Sequence, residues 1–390
     1  MIPPSSKRFG GFLAVLAILL AIPGFAAGTE KAALLAVRVP GSDLEIMANA
    51  EKSQKSEFQK KMEVLQKELE KDMDPEALAA SKKLENFLKN IGIEKDGVKY
   101  IVGSLSIRGI DTQAEVPKVP GLIAFSLKAP ISADKIAEGV TKAAAEEGEA
   151  AELEKSSYKG VPTLALKLDP ANLPAGMDAA AGKAAADLCV ALPADGLVVY
   201  FGQTAEVKAG IDRMLAGTGI APSTGLKAAK ALVPADADGY IIFDMPDRFR
   251  ETLSQFSANL GHDPMMAGFL SALAGLKGAS LSGVTTDKAS VALSGDFETN
   301  ENATIVKTTI DGRLAGPIFM AKNMNGGKSL NVLDSLKTEA KGTTFTLSFE
   351  ITVQDIRDIV EFSNRMKKQA AGGPGGMPPG APAPGGVPAP

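Results

Sequence analysis

The chain has 390 residues, 23% of them charged, with a formal net charge of −4, no Trp, one Cys and one His. One Cys excludes an internal disulfide framework, and one His beside one Cys excludes a His/Cys zinc site. Phosphate recognition needs clustered Lys and Arg, which are missing here, so nucleic acid is not an expected partner.

Residues 1–26 read as a secretory signal peptide. Lys7 and Arg8 precede the apolar run Phe12–Ile22, and Pro23-Gly24-Phe25-Ala26 supplies a break and small residues for cleavage. The apolar run is shorter than the roughly 20 residues a span needs, so no stable membrane span is expected after cleavage.

Ala33–Pro40 is apolar and β-branched enough to predict a strand. In Glu51–Met73, Phe58, Met62, Leu65 and Leu69 recur at helical spacing. Asp74-Pro75 predicts the start of a second helix, carrying Leu84, Phe87, Leu88 and Ile91 and ending at Gly92. Strands follow at Val98–Ile107 and Gly121–Lys128, then a helix capped by Ser132 with Ile136 and Val140 inward. A hairpin turns at Lys159-Gly160, and a second joins Leu188–Leu192 to Leu197–Phe201 through Pro193–Gly196. Thr204 is placed as the cap of a helix that buries Val207, Ile211, Met214 and Leu215.

Gly217–Gly225 is rich in turn formers and marks the boundary, with a short helix Leu226–Leu232 bridging onward. The order of elements then recurs. Gly239–Pro246 repeats the strand closing on Pro. A helix follows with Phe249, Leu253, Phe256 and Leu260 on one face, and Asp263-Pro264 starts another. Strands Ala279–Val284 and Ala289–Gly295, a helix containing Ile305, Ile310 and Leu314, and a hairpin at Lys341-Gly342 complete the second copy. Thr352 and Asp355 form a capping box ahead of Ile356 and Ile359. Ala370–Pro390 is Pro, Gly and Ala with no apolar face, which predicts a disordered tail.

The pattern predicts an α+β fold of two related halves, residues 29–217 and 236–368. Each would be a mainly antiparallel sheet packed with helices on one face, between the leader 1–26 and the tail 370–390.

Reactive constellations are sparse. His262 lies in Leu260–Pro264 and reads as a helix-junction residue, not a general base. The Ser-x-x-Lys matches Ser132–Lys135 and Ser156–Lys159 lack the companions of a Ser-Lys acylase. Asp236–Gly239 falls short of a calcium loop, and Cys189 reads as a buried small hydrophobe. Scattered carboxylates leave a hydrolase open, although the absence of Trp disfavours a sugar site. Met265 and Met266 beside Phe269 and Leu270 read as core, with an adaptable apolar surface as the alternative.

Tyr158–Leu166, then Asp195–Gly202 leading into a helix, is similar to segments of a loose group of exported bacterial proteins built from two α+β halves. Proteins of planctomycete-like envelopes look similar to these segments. The resemblance implies export and implies no catalytic, cofactor-binding or metal-binding residues.

The expectation is an exported, non-enzymatic envelope protein, periplasmic or extracellular, that binds or scaffolds without a cofactor. Its partner would be an envelope protein or an apolar ligand. A periplasmic carrier of lipid or other apolar ligands is the first alternative, and a carboxylate-dependent hydrolase the second.

Overall fold

The computed structural model describes residues 29–69, 75–94, 96–108, 120–146, 152–167, 186–260, 263–324 and 331–361. The leader, His262 and the C-terminal tail lie outside them. The strands are β1 (Leu44–Asn49), β2 (Val98–Leu105), β3 (Gly121–Leu127), β4 (Glu152–Tyr158), β5 (Val161–Lys167) and β6 (Leu188–Ala191). They continue as β7 (Val198–Gln203), β8 (Gly239–Asp244), β9 (Leu276–Thr285), β10 (Ala289–Phe297), β11 (Lys337–Lys341) and β12 (Thr344–Ile351). All pair antiparallel in one 12-stranded sheet of order β11-β12-β10-β9-β8-β1-β2-β3-β7-β6-β5-β4. The fold class is α+β.

The helices are α1 (Thr29–Leu35), α2 (Ala50–Gln54), α3 (Glu57–Leu69), α4 (Pro75–Asn90), α5 (Ala133–Glu146) and α6 (Thr204–Leu215). After them come α7 (Thr224–Ala231), α8 (Asp247–Asn259), α9 (Pro264–Ala274), α10 (Asn300–Met324) and α11 (Asn331–Asp334), and residues 353–361 are helical.

Helices cover both faces of the sheet, not one. The reason is visible in β3, Gly-Leu-Ile-Ala-Phe-Ser-Leu, which is apolar on both sides and must be buried on both. One face carries Leu122, Ala124 and Tyr200 beneath Ala33, Leu34, Val37 and Val39 and beneath Val207 and Ile211 of α6. Each such fully buried aliphatic side chain contributes roughly 1.5–3 kcal/mol. On the same face, Leu226 and Ala229 of α7 pack on Ile242. The opposite face carries Leu127, Phe125 and Val199 under Phe87 and Leu88 of α4 and Ile136 of α5. Further along that face, Ala279, Phe345 and Leu347 lie under α9 and α10.

The expected strand at Ala33–Pro40 is a helix, Thr29–Leu35, followed by an irregular segment; the strand is Leu44–Asn49. Ala33, Val37 and Val39 are apolar because they lie on the sheet, not because they pair within it. Thr204 does not cap α6: its hydroxyl donates to the Asp187 carbonyl at 3.0 Å, and Leu215 is exposed. The Ser132 and Thr352–Asp355 caps form as the spacing predicts.

The sheet runs outward from the β1–β8 pair in two directions, β1-β2-β3-β7-β6 and β8-β9-β10-β12-β11, with β5 and β4 extending the first. Ile46 faces Ile241 at the middle of the seam. The residue ahead of each seam strand does the same work. The Asp43 amide donates to Leu105 O at 3.1 Å, and its carboxylate accepts the Ile107 and Arg108 amides at 2.7 and 2.8 Å. The Asp238 amide donates to Gly283 O at 2.6 Å, and its carboxylate accepts the Thr285 amide and hydroxyl. Two cations clip the seam ends: Arg108 pairs with Asp244 at 2.8 Å and lies 3.5 Å from Asp43, and Lys52 pairs with Asp238. Gly225 of α7 is required here, because a Cβ at that position would meet Asp244 Oδ1 at 2.0 Å.

The sheet edges are blunted. β4 exposes Glu152, Glu154 and Lys155, and β11 exposes Lys337, Glu339 and Lys341. Charges on an edge strand oppose pairing with another chain.

Asp43 and Asp244 are buried, so Arg108→Ala leaves two carboxylates with their hydrogen bonds but without their counter-charge. The expected loss is about 2–3 kcal/mol, below the full range for a buried pair because Arg108 is partly exposed. Urea unfolding checks it, and an unchanged midpoint would contradict the clip.

Candidate functional site

The most unusual surface of the described molecule is the helical hairpin α8–α9, which crosses from the end of β8 to the start of β9. Pro246 precedes α8 without a side-chain cap. Asp263 caps α9, accepting the Met266 amide at 3.0 Å, and Pro264 occupies the first turn. Ser257 of α8 donates to Ala267 O at 2.8 Å, which ties the two helices together near their junction.

An amphipathic helix normally buries its apolar stripe. α8 carries the stripe Phe249, Leu253 and Phe256, continued by Leu260 at its C-terminal cap, yet none of its residues is buried. Phe249 is 49% exposed and Phe256 60%. Leu253 and Leu260 are half-buried. α8 packs on α9, and α9 in turn on α10. In α9 only Ala272 is buried, and Met265 is 55% exposed, while Met266, Phe269 and Leu270 are half-buried. The alternative reading of the Met265–Leu270 segment, an adaptable apolar surface, is the one the exposure favours at Met265.

The first half of the sheet offers an internal comparison. Of its helices between β1 and β2, α3 buries Phe58 and Leu65 while exposing Val64, and Phe87 and Leu88 of α4 are half-buried against Ile91 and Leu127. α8, by contrast, has no fully buried residue. On the sheet face where α9 packs, Leu281 and Leu293 are direct cross-strand partners, 41% and 42% exposed. They share that face with Ala279 and Leu347 by the two-residue period of a strand. Five large apolar side chains on one side of the molecule therefore reach solvent.

Known protein families, curated proteins and solved structures yield no match to this chain. The candidate site accordingly rests on its own geometry.

A second feature is a cleft of about 110 Å³ at the seam, lined by Leu34, Leu35, Arg38, Glu45, Met47 and Tyr240 among others. Its polar groups are committed. Arg38 forks onto Glu45 through Nε and Nη2 and donates Nη1 to Ile220 O at 2.5 Å. Lys230 Nζ stacks 3.5 Å over the Tyr240 ring. Burial pushes the Tyr240 hydroxyl up to about 12, with Glu45 adding to the effect. Sites for small organic ligands run to about 300–1,000 Å³, so this cleft is undersized for an acyl chain.

The residues singled out for chemistry separate in space. Ser132 caps α5 through the Lys135 amide at 3.3 Å, and the Ser156 hydroxyl bonds Thr163 at 2.7 Å. Lys159 pairs with Asp212 at 2.8 Å, and the bond to that carboxylate raises its pKa. Asp238, in the segment compared with a calcium loop, is spent on Thr285 and Lys52. Among the described residues no three His, Cys, Asp or Glu side chains gather as a metal site. His262 falls outside the described residues.

Cys189 is buried beside Ala191 and Val161, and burial pushes its thiol pKa up. Little thiolate forms near neutral pH, so a disulfide reagent should label Cys189 only as the protein unfolds. Rapid, stoichiometric labelling of the native protein would contradict this placement.

Proposed function

We propose that the protein is an exported, non-enzymatic binding or scaffolding component of the cell envelope, and that the α8–α9 hairpin is its contact surface. One observation carries the reading: the apolar stripe of α8 leaves Phe249 and Phe256 largely exposed and no α8 residue fully buried, while α3, between β1 and β2, buries Phe58 and Leu65. Exposed apolar patches on monomers are typically about 300–600 Å² at most and are often functional. The leader at residues 1–26 supports export. The blunted edges β4 and β11 support recognition by a face over strand addition.

The cleft at the seam is small and its ionic groups are mutually satisfied, so the reading favours surface contact over a ligand carried in a cavity. The same reading treats the matching strand orders about the β1–β8 seam as a duplicated unit in which one copy kept its helices docked and the other freed them.

The test is binding of the purified protein to its own isolated envelope fraction. Phe249→Ser with Phe256→Ser should weaken binding by about tenfold or more, from the lost apolar area. Stability should stay within about 0.5–1 kcal/mol of the parent, because both side chains are largely exposed already. Unchanged binding by the folded variant would remove the hairpin from the proposal.

A further inference from the structure

We infer that the occupant of the α8–α9 hairpin is a lipid bilayer surface, which the hairpin enters at the interface without crossing it. The inference rests on the binding reading above and specifies its partner.

The first support is charge. From Thr252 to Leu276 the sequence holds one carboxylate, Asp263, and the single His262, in a chain that is 23% charged; the four charges of α8 are confined to its first five residues, Asp247–Glu251. The second is hydrogen bonding. Polar groups that enter a water-poor layer must be satisfied from within. Thr252 donates to Arg248 O at 2.8 Å, Ser257 donates to Ala267 O at 2.8 Å, and the Asp263 carboxylate accepts the Met266 amide. These polar side chains turn back onto the hairpin's own backbone, while Phe249, Phe256 and Met265 point out. Ser254 and Gln255 stay exposed, which gives α8 the wet face of a helix lying in the interface plane.

The third support is size. Phe249, Phe256 and Met265 leave roughly 300 Å² uncovered at about half of the 150–250 Å² that a large side chain offers. A stable protein interface buries about 800 Å² per partner, of which a little over half, roughly 450 Å², is apolar, so the apolar area of these three side chains falls short of what a second copy needs. A bilayer imposes no such minimum and asks only for apolar side chains and satisfied backbone. At 1.5 Å per residue, α8 and α9 are about 20 and 16 Å long, below the roughly 30 Å of a bilayer core. At the base of the hairpin, Arg248 and Arg250 flank Phe249 between Asp247 and Glu251, with Arg250 held by Glu298 at 3.2 Å. Long cationic side chains at that level suit the headgroup layer.

The chain has no Trp, so Phe256→Trp installs a single reporter at the exposed stripe. The exported full chain is mixed with protein-free phosphatidylcholine vesicles, and with vesicles of phosphatidylethanolamine and phosphatidylglycerol. The expected result is emission moving to shorter wavelength, quenching by lipids brominated near the headgroup, and about tenfold weaker vesicle binding when Phe249→Ser and Met265→Ser are added. Circular dichroism confirms that each variant is folded.

Two outcomes overturn the lipid assignment and leave the binding reading standing. One is hairpin-dependent binding to the native envelope fraction with no emission change on protein-free vesicles, which makes the partner a protein. The other is an emission shift that grows with protein concentration in the absence of vesicles, which makes it a second copy. Loss of both envelope and vesicle binding in the wild-type chain overturns both readings.

Discussion

The backbone ladder between β1 and β8 is the constraint on which the rest of the structure depends. It joins residues nearly two hundred positions apart and turns two runs of strands into one sheet. Its ends are closed by the same device on each side. An aspartate just ahead of the strand turns its carboxylate onto amides at or just past the end of the next strand: Asp43 onto Ile107 and Arg108, and Asp238 onto Thr285. Without these acceptors, part-buried amides at the strand ends would lose their partners, at about 1 kcal/mol each. Arg108 and Lys52 then neutralise the carboxylates across the seam.

From the seam outward, the chemistry of the strands decides what covers them. Where both faces are large and apolar, as in β3, helices dock on both sides. Where one face is small, as at Gly278 and Ser280 of β9, α7 comes in close through Gly225 and Ala229, and a Cβ on Gly278 would lie 2.7 Å from Gly225 O. The opposite face of β9 and β10 carries Leu281 and Leu293, and there the cover is incomplete. The hairpin that could have closed over them packs on α10 through α9 and leaves α8 outermost. Structure and proposed function meet at that point. The sheet holds a helical hairpin in place, and on that hairpin Phe249, Phe256 and Met265 stay largely exposed.

Most of the strands and helices were legible because each carries a local signal. Val98–Ile107 has a strand's composition, Asp263-Pro264 announces a helix start, and Lys159-Gly160 marks a turn whose residues adopt φ of 49° and 83°. Ala33–Pro40 misleads for a physical reason. An apolar run that lies across a sheet and one that pairs within it have the same composition, and only the strand pairings distinguish them. The seam was illegible, since nothing local to Asp43 or Asp238 says which distant amide each will accept. The hairpin was half legible. The spacing of Phe249, Leu253, Phe256 and Leu260 defines a face, but a periodic stripe reports only that a face exists and not whether anything covers it. The cover depends on where α9 and α10 place it, which is set by tertiary packing.

Native-state hydrogen exchange, followed residue by residue, tests the central claim most directly: a seam that holds the sheet together and a hairpin that stands outside its core. The amides of β1 and β8 should exchange last, only through global unfolding, while those of α8 open locally at a much lower free energy. Protection of α8 equal to that of β1 and β8 would show that the hairpin belongs to the core, and would contradict the account.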